Sequence, residues 1–309
     1  MSKENTAVTK KKMKRCKEDV VFDAACFIIL TLVLFVVAYP LYWVIISSIS
    51  APSAVSSGKV LLHPIGFTLK GYAEVFKNDQ VMRGFLNSLI ITFCGVMVNL
   101  IVTLPTSYAL SRSNFSGKKP ITIFYLITMF FGGGLIPTYL VIQRLQMLNT
   151  IWALILPGCL SVYNMIVART FFKSNISEEL YEAAEIDGCT QARFFFQIAL
   201  PLSKAIIAIL VLYYGVGHWN SYFSALVYIS DKAKYPLQLV LRNILITNQT
   251  ALSQTATTVA ARAALQEKQQ LIDVMKYSLI IISSIPVLVM YPLVQKHFVK
   301  GVMIGSMKG

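Results

Sequence analysis

Residues 182–201 read EAAEIDGCTQARFFFQIALP, a polar, glycine-broken stretch set between two long apolar segments. Just before it, Ser177 stands where a helix N-cap is needed, and Glu178 and Glu179 follow in a first turn where negative charge suits the helix dipole. A helix from there runs to about Asp187. Gly188 fits the left-handed position that ends a helix, and Thr190 caps the next one. In that second helix Phe195, Ile198 and Ala199 form an apolar stripe beside polar Gln191, Arg193 and Gln197, and Pro201 breaks the chain before the next apolar run near Lys204. These signals predict a helical hairpin at 177–201. Taken alone, they fit a docking element and a solvated connection with ordinary caps equally well.

The surroundings of the hairpin set its context. The chain has 309 residues, 56% of them hydrophobic and only 14% charged, with a mean hydropathy of +0.63. That is too apolar and too charge-poor for an ordinary soluble domain. Crossing ~30 Å of hydrocarbon takes ~20 helical residues. Six runs free of Asp, Glu, Lys and Arg meet that length: 24–58, 84–111, 120–143, 145–168, 205–230 and 277–295. A seventh, 243–261, is crowded with Asn, Gln, Thr and Ser, whose amides and hydroxyls are costly in lipid, and is excluded. In the third run Phe131-Gly132-Gly133-Gly134 precedes Pro137, which predicts a break and a short surface helix through Leu148. The expected fold class is an all-α integral membrane protein of six transmembrane helices with one polar hairpin. It comprises a basic tail (1–20), a six-helix transmembrane domain (21–298) with an outer loop at about 231–275, and a C-terminal tail (299–309).

Orientation follows from charge. Lys10, Lys11, Lys12, Lys14, Arg15 and Lys17 precede the first span directly, the pattern of a cytoplasmic tail. Six crossings return the C-terminus to the same side and put the hairpin there too. The net charge of +14 is concentrated at membrane boundaries, not on an aromatic-lined face. This favours anionic lipid over nucleic acid as its partner. Cys16, Cys26, Cys94, Cys159 and Cys189 have no CxxC spacing, and His63, His218 and His297 stand on different elements, so neither structural disulfides nor a metal site is expected. No GxxxxGK[ST] phosphate loop, HExxH or GxSxG motif is present. The chain is therefore not expected to be an enzyme or its own ATP-driven motor.

Glu182-Ala183-Ala184, then Gly188, then Ile198-Ala199-Leu200-Pro201 resembles the EAA signature of ABC-importer permeases, the loop that meets the ATPase. Phe85-Leu86-Asn87-Ser88, Ser107-Tyr108-Ala109-Leu110-Ser111-Arg112, Trp219-Asn220 and the closing Lys300-Gly301, Gly305 and Lys308-Gly309 extend the likeness to MalG-like carbohydrate-uptake permeases of the maltose-transporter type. Gly132 to Tyr139 and Tyr235-Pro236-Leu237-Gln238-Leu239 with Leu241-Arg242 are similar to the oligosaccharide branch that contains LplC and YtcP. The resemblance implies a bacterial cytoplasmic-membrane protein. Its implied partners are a homologous second permease, two ABC ATPase subunits and an extracytoplasmic sugar-binding protein. ATP and Mg would lie on the ATPase and no cofactor on this chain.

The resemblance also implies roles. Glu182, Ala183, Ala184, Asp187, Gly188, Ile198, Leu200 and Pro201 would form the ATPase-coupling joint, with Glu182 meeting a basic ATPase residue, and the C-terminal tail would reach the ATPase dimer interface. Asn248, Gln249 and Thr250 in the outer segment would contact the binding protein. Polar groups inside spans are expensive unless they face a cavity or a partner. On that ground Asn87, Asn99, Asn164, His218 and Asn220 are candidates for the substrate path, with Trp219 and Tyr222 offering rings for sugar stacking. Interhelical packing explains the same residues equally well. A permease for another solute remains an alternative. A secondary transporter or channel would predict ionisable coupling residues within spans or an inverted repeat, and the sequence has neither.

Overall fold

The computed structural model describes residues 17–251 and 259–306, and every regular element among them is helical. The basic tail up to Cys16 lies outside the described residues, as do 252–258 and 307–309. Three helices are long and apolar enough to cross a membrane, and six spans result when each bent pair counts as one.

Helix α1 (Lys17–Ser48) is 32 residues long, about 48 Å at ~1.5 Å per residue. Its most apolar window is 0% buried, an arrangement suited to lipid and not to water. The expected first span ran to residue 58, but α1 stops at Ser48. The hydroxyls of Ser48 and Ser50 donate back to the carbonyls of Ile45 and Ile46 (2.7 and 2.6 Å), and Pro52 opens a separate short helix α2 (Pro52–Ser56). The indole of Trp43 donates to Val60 O (2.8 Å) and so folds this outer connection onto α1. Helix α3 (Lys70–Lys77) leads into α4 (Asp79–Ser111), which Asn78 caps by accepting from Gln80 N and Val81 N.

Helix α4 is the hub of the bundle, packing on α8 (Val162–Asn175), α12 (Lys204–Trp219) and α14 (Leu237–Ala251). Small residues make this possible: a Cβ on Gly95 would lie 2.4 Å from the His218 ring, so only glycine lets α4 and α12 approach so closely. Helices α5 (Lys118–Phe130) and α6 (Leu135–Arg144) are bent by 112° at the glycine cluster. The predicted break is present, and the straight part of the third span is only 13 residues. The fourth span, expected at 145–168, instead starts at α7 (Trp152–Ile155). It kinks by 51° after Pro157-Gly158 and continues as α8 (Val162–Asn175), with Ser161 as its N-cap.

The hairpin comprises α9 (Glu178–Ile186), α10 (Gln191–Phe194), a π-helical turn Phe195–Ala199, and α11 (Leu200–Leu202). Helix α12 (Lys204–Trp219) follows after an 80° bend at Ser203. The fifth span ends at Trp219, not at residue 230, and α13 (Phe223–Tyr228) is a separate short helix. The connection expected as an outer loop is largely helical. After a turn at Lys232–Lys234 comes α14 (Leu237–Ala251), whose early residues Leu237, Leu239 and Val240 are buried. Helix α15 (Val259–Ser306) contains the last span, Gln269–Pro292, together with Asp273 and Lys276, an i,i+3 pair that a search for charge-free runs excludes. The same helix carries the backbone through Ser306, so the part of the expected C-terminal tail that is described is helical.

Candidate functional site

The hairpin is built by the caps its sequence announces. Ser177 Oγ accepts from Leu180 N (3.3 Å), Thr190 Oγ1 accepts from Arg193 N (3.3 Å), and Gly188 takes a φ of +74°. No atom lies within 4 Å of the Cβ that Gly188 lacks, so the demand for glycine there is conformational and not steric. One face is then welded to the bundle. Tyr181, Ala184, Phe194, Phe195 and Ala199 join a buried cluster with Tyr108 of α4, Phe172 of α8 and Ile206 and Leu210 of α12. Tyr108 centres this cluster, 5.0 Å from the Phe195 ring and 5.6 Å from that of Phe172, and Phe194 meets Tyr181 edge-on at 5.3 Å.

The opposite face is open. Glu182, Ala183, Asp187, Gly188 and Pro201 are exposed, whereas Ala184 is buried and Ile198 and Leu200 are half-buried against the cluster. The coupling candidates therefore divide: Ala184, Ile198 and Leu200 hold the hairpin to its own bundle. Sequence reasoning missed Ile186, which is 87% exposed between Glu185 and Asp187. The signal was available, because Tyr181 and Ala184 mark the inner face of α9 and leave position 186 outside.

At the C-terminal end of α4, Arg112 is ion-paired with Glu178, and Ser113 N donates to the second carboxylate oxygen (3.1 Å). The Arg112 side chain is 11% exposed. Its guanidinium lies 4.8 Å from the centre of the Tyr181 ring and 5.6 Å from that of Tyr108. Partial burial pushes the Glu178 carboxyl up, but the bonds from Ser113 and the Arg112 charge outweigh it and hold the group below its ordinary value.

Most path candidates turn out to be tied. Asn87 Nδ2 donates to Ala233 O (2.8 Å) and Tyr235 O (3.1 Å), which fastens the connection before α14 to α4. Asn99 Nδ2 donates to Gly158 O (2.7 Å), and its Oδ1 lies 2.7 Å from His218 Nε2, which joins α4, α12 and the kink of the fourth span. Asn164 is buried in the first turn of α8. Trp219 is 2% exposed and donates to Ser283 O (2.8 Å), so its ring is not available for stacking. Asn220 and Tyr222 are exposed. Tyr213 and Gly217, absent from the sequence-derived set, are the exposed positions of α12 after its first residue. With Asn220 they make a polar and aromatic line at i, i+4 and i+7. The open face of α4 is different, with Leu86, Ile90, Phe93, Met97 and Ile101. Asn248, Gln249 and Thr250 lie on the last turns of α14, with side chains outside the described residues. Among the described residues no three His, Cys, Asp or Glu side chains converge as metal ligands do.

The chain matches no protein-family model. Among curated proteins, "Protein LplC" of Bacillus subtilis (strain 168) is 37% identical over 297 residues, 96% of this chain and 98% of its own. The polygalacturonan/rhamnogalacturonan transport system permease protein YtcP of the same organism is 36% identical over 288 residues, 93% of this chain and 98% of its own. Among solved structures, the crystal structure of a bacterial ABC transporter involved in the import of the acidic polysaccharide alginate contains a chain that superposes with a TM-score of 0.82 at 27% identity. That match covers 92% of this chain and 99% of that one. An all-helical multi-pass architecture, a capped hairpin between spans and likeness over nearly the whole length converge on one statement: the chain belongs to the permease subunits of carbohydrate ABC importers.

Proposed function

We propose that this subunit passes oligosaccharides across the bacterial cytoplasmic membrane and is driven through its hairpin by a separate ATPase. The observation that carries the reading is the division of the hairpin into a face welded to the bundle and an open face of Glu182, Ala183, Ile186, Asp187 and Gly188. Such a face combines an apolar projection with carboxylates. It suits a groove that offers an apolar pocket and a basic rim, and an exposed Glu–Arg pair alone adds only ~0–1 kcal/mol. The hairpin side is cytoplasmic on this reading, as are both termini. A homologous second permease, two ABC ATPase subunits holding ATP and Mg, and an extracytoplasmic sugar-binding protein complete the assembly, with no cofactor on this chain. The polar line Tyr213, Gly217 and Asn220, with Tyr222 just beyond the end of α12, is this subunit's contribution to the sugar path. An aromatic ring beside a bare glycine gives a flat platform for a sugar face, and an amide supplies its hydrogen bonds. Asn248, Gln249 and Thr250 are proposed to meet the binding protein, and the helix end at Ser306 and the residues beyond it to reach the ATPase interface.

The names of the relatives make oligosaccharides released from polygalacturonan, rhamnogalacturonan or alginate the substrates to test first. The complex purified on a tag carried by this chain is expected to contain an ATPase whose hydrolysis rises with a binding protein loaded with such an oligosaccharide. Gly188→Asp should insert normally in the membrane and transport nothing. Absence of any co-purifying ATPase, or normal uptake by that variant, refutes the reading. Deleting residues 305–309 should lower ATPase coupling, and unchanged coupling removes the proposed role of the C-terminus.

A further inference from the structure

The hairpin is joined covalently to the fourth span through Ile176-Ser177 and to the fifth through Ser203, but the buried cluster it joins also includes Tyr108 of α4, which lies far from it in sequence. What fixes it to α4 is more than apolar contact. A cavity of about 350 Å³ opens between the inner end of α4 and the second hairpin helix, bounded by Pro105, Tyr108, Arg112, Tyr181, Phe195 and Phe196, so the aromatic packing there is incomplete. Apolar contact has no preferred direction and tolerates sliding. Across this gap stands an arrangement with a fixed geometry, Arg112 held between two tyrosine rings and paired with Glu178, 66 positions away in sequence. A guanidinium fork in a partly buried ion pair is directional, and separating it from its partner strands a charge. The arginine is itself anchored. Lys118 Nζ donates to the carbonyls of Arg112 (3.3 Å) and Ser113 (3.1 Å), and Arg169 Nε of α8 donates to Leu110 O (3.0 Å), so carbonyls at and just beyond the end of α4 are satisfied by cations from two other helices, α5 and α8.

We propose that Arg112 is a positioning residue of the transport cycle: through Glu178, Tyr108 and Tyr181 it makes the hairpin and the inner end of α4 move as one body, so that displacement of the hairpin reaches the second span directly. This rests on the reading that the hairpin meets an ATPase. The pair transmits motion and does not touch substrate or nucleotide.

The test is a spin-label distance between Ser116→Cys, beyond the end of α4, and Glu185→Cys, on the open face of α9. It is measured in the full complex in nanodiscs, with Cys16, Cys26, Cys94, Cys159 and Cys189 replaced by serine. The nucleotide-free state is compared with the state trapped by ADP and vanadate. With Arg112 and Glu178 intact the distance is expected to stay the same in the two states. With Arg112→Ala, or with the nearly isosteric Glu178→Gln, it should shift on trapping while the complex still assembles and hydrolyses ATP. The exchanged pair Arg112→Glu with Glu178→Arg should reduce that shift. A distance that already changes with the native pair present overturns the proposal, as does an unchanged distance in Arg112→Ala, even if less complex assembles. If no ATPase accompanies the chain, the coupling reading falls and the clamp with it; if the ATPase is present and trapped, only the clamp is at stake.

Discussion

The hairpin between the fourth and fifth spans and the connection that follows α12 are both polar interruptions between spans, yet they are held in opposite ways. The hairpin is shaped by groups within three residues of where they act: Ser177 on Leu180, Thr190 on Arg193, Gly188 by its own φ. The connection after α12 is shaped by side chains distant in sequence, from α4 and from the turn before α7. Asn87 Nδ2 of α4 donates to the carbonyls of Ala233 and Tyr235, Ser88 Oγ accepts from Leu237 N (2.8 Å), and Asn149 Oδ1 accepts from Ser230 N (3.3 Å) and Asp231 N (3.0 Å). A locally capped element keeps its shape while its attachment moves, which suits a lever. An element clamped by side chains distant in sequence keeps its position, which suits a fixed platform.

This contrast can be broken in order of severity. The largest effect is expected from Phe194→Ala, which empties a fully buried ring site between Tyr108 and Tyr181. A loss of ~3–5 kcal/mol should free the hairpin from the bundle, seen as raised hydrogen exchange across 178–202 and loss of uptake. Next is Asn87→Ala at the outer end. It leaves two carbonyls without their donor and should lower the stability of the purified complex by ~1–3 kcal/mol. Exchange should rise at 230–240 and stay unchanged in the hairpin; a rise in both regions would show that the two ends are not independent. A milder change is Ser177→Ala or Thr190→Ala, each expected to cost ~1 kcal/mol of local helix stability, with fraying confined to the affected half of the hairpin. Smallest is the effect of acid on Glu178. Its folded value lies below the ordinary one, so its stabilisation is present above ~4.3, the unfolded carboxyl value, and is lost as pH falls through the folded value. Because the carboxylate is 44% exposed, the loss should be under ~1 kcal/mol, and Glu178→Gln should abolish it.

How legible each part was follows from the same contrast. The hairpin, its caps and the break at the glycine cluster were readable because each depends on residues a few positions apart. The span limits were less so. The search for charge-free runs carried the first span through Pro52 and the fifth through Asn220. It also excluded Asp273 and Lys276 from the last span, although they pair with one another at 3.9 Å. The tract 243–261 was set aside as too polar for lipid, and the first part of it is the end of α14, a helix whose apolar residues pack on α4. Among the path candidates, burial reversed the expectation for Trp219, and exposure added Tyr213 and Gly217. Polarity within a span indicates that a residue must be satisfied, but not whether a carbonyl or open space satisfies it.

The sequence alone determined that this chain lives in a bilayer, that it carries a glycine-centred hairpin, and to which family its motifs point. These rest on composition and on spacings of a few residues, which local sterics and solvation translate directly into structure. Only the tertiary structure decided which face of the hairpin is welded and which is open, which asparagines are clips, and that Arg112 reaches Glu178. Those pairings close loops of tens to more than a hundred residues, and their partners are chosen by how whole helices pack.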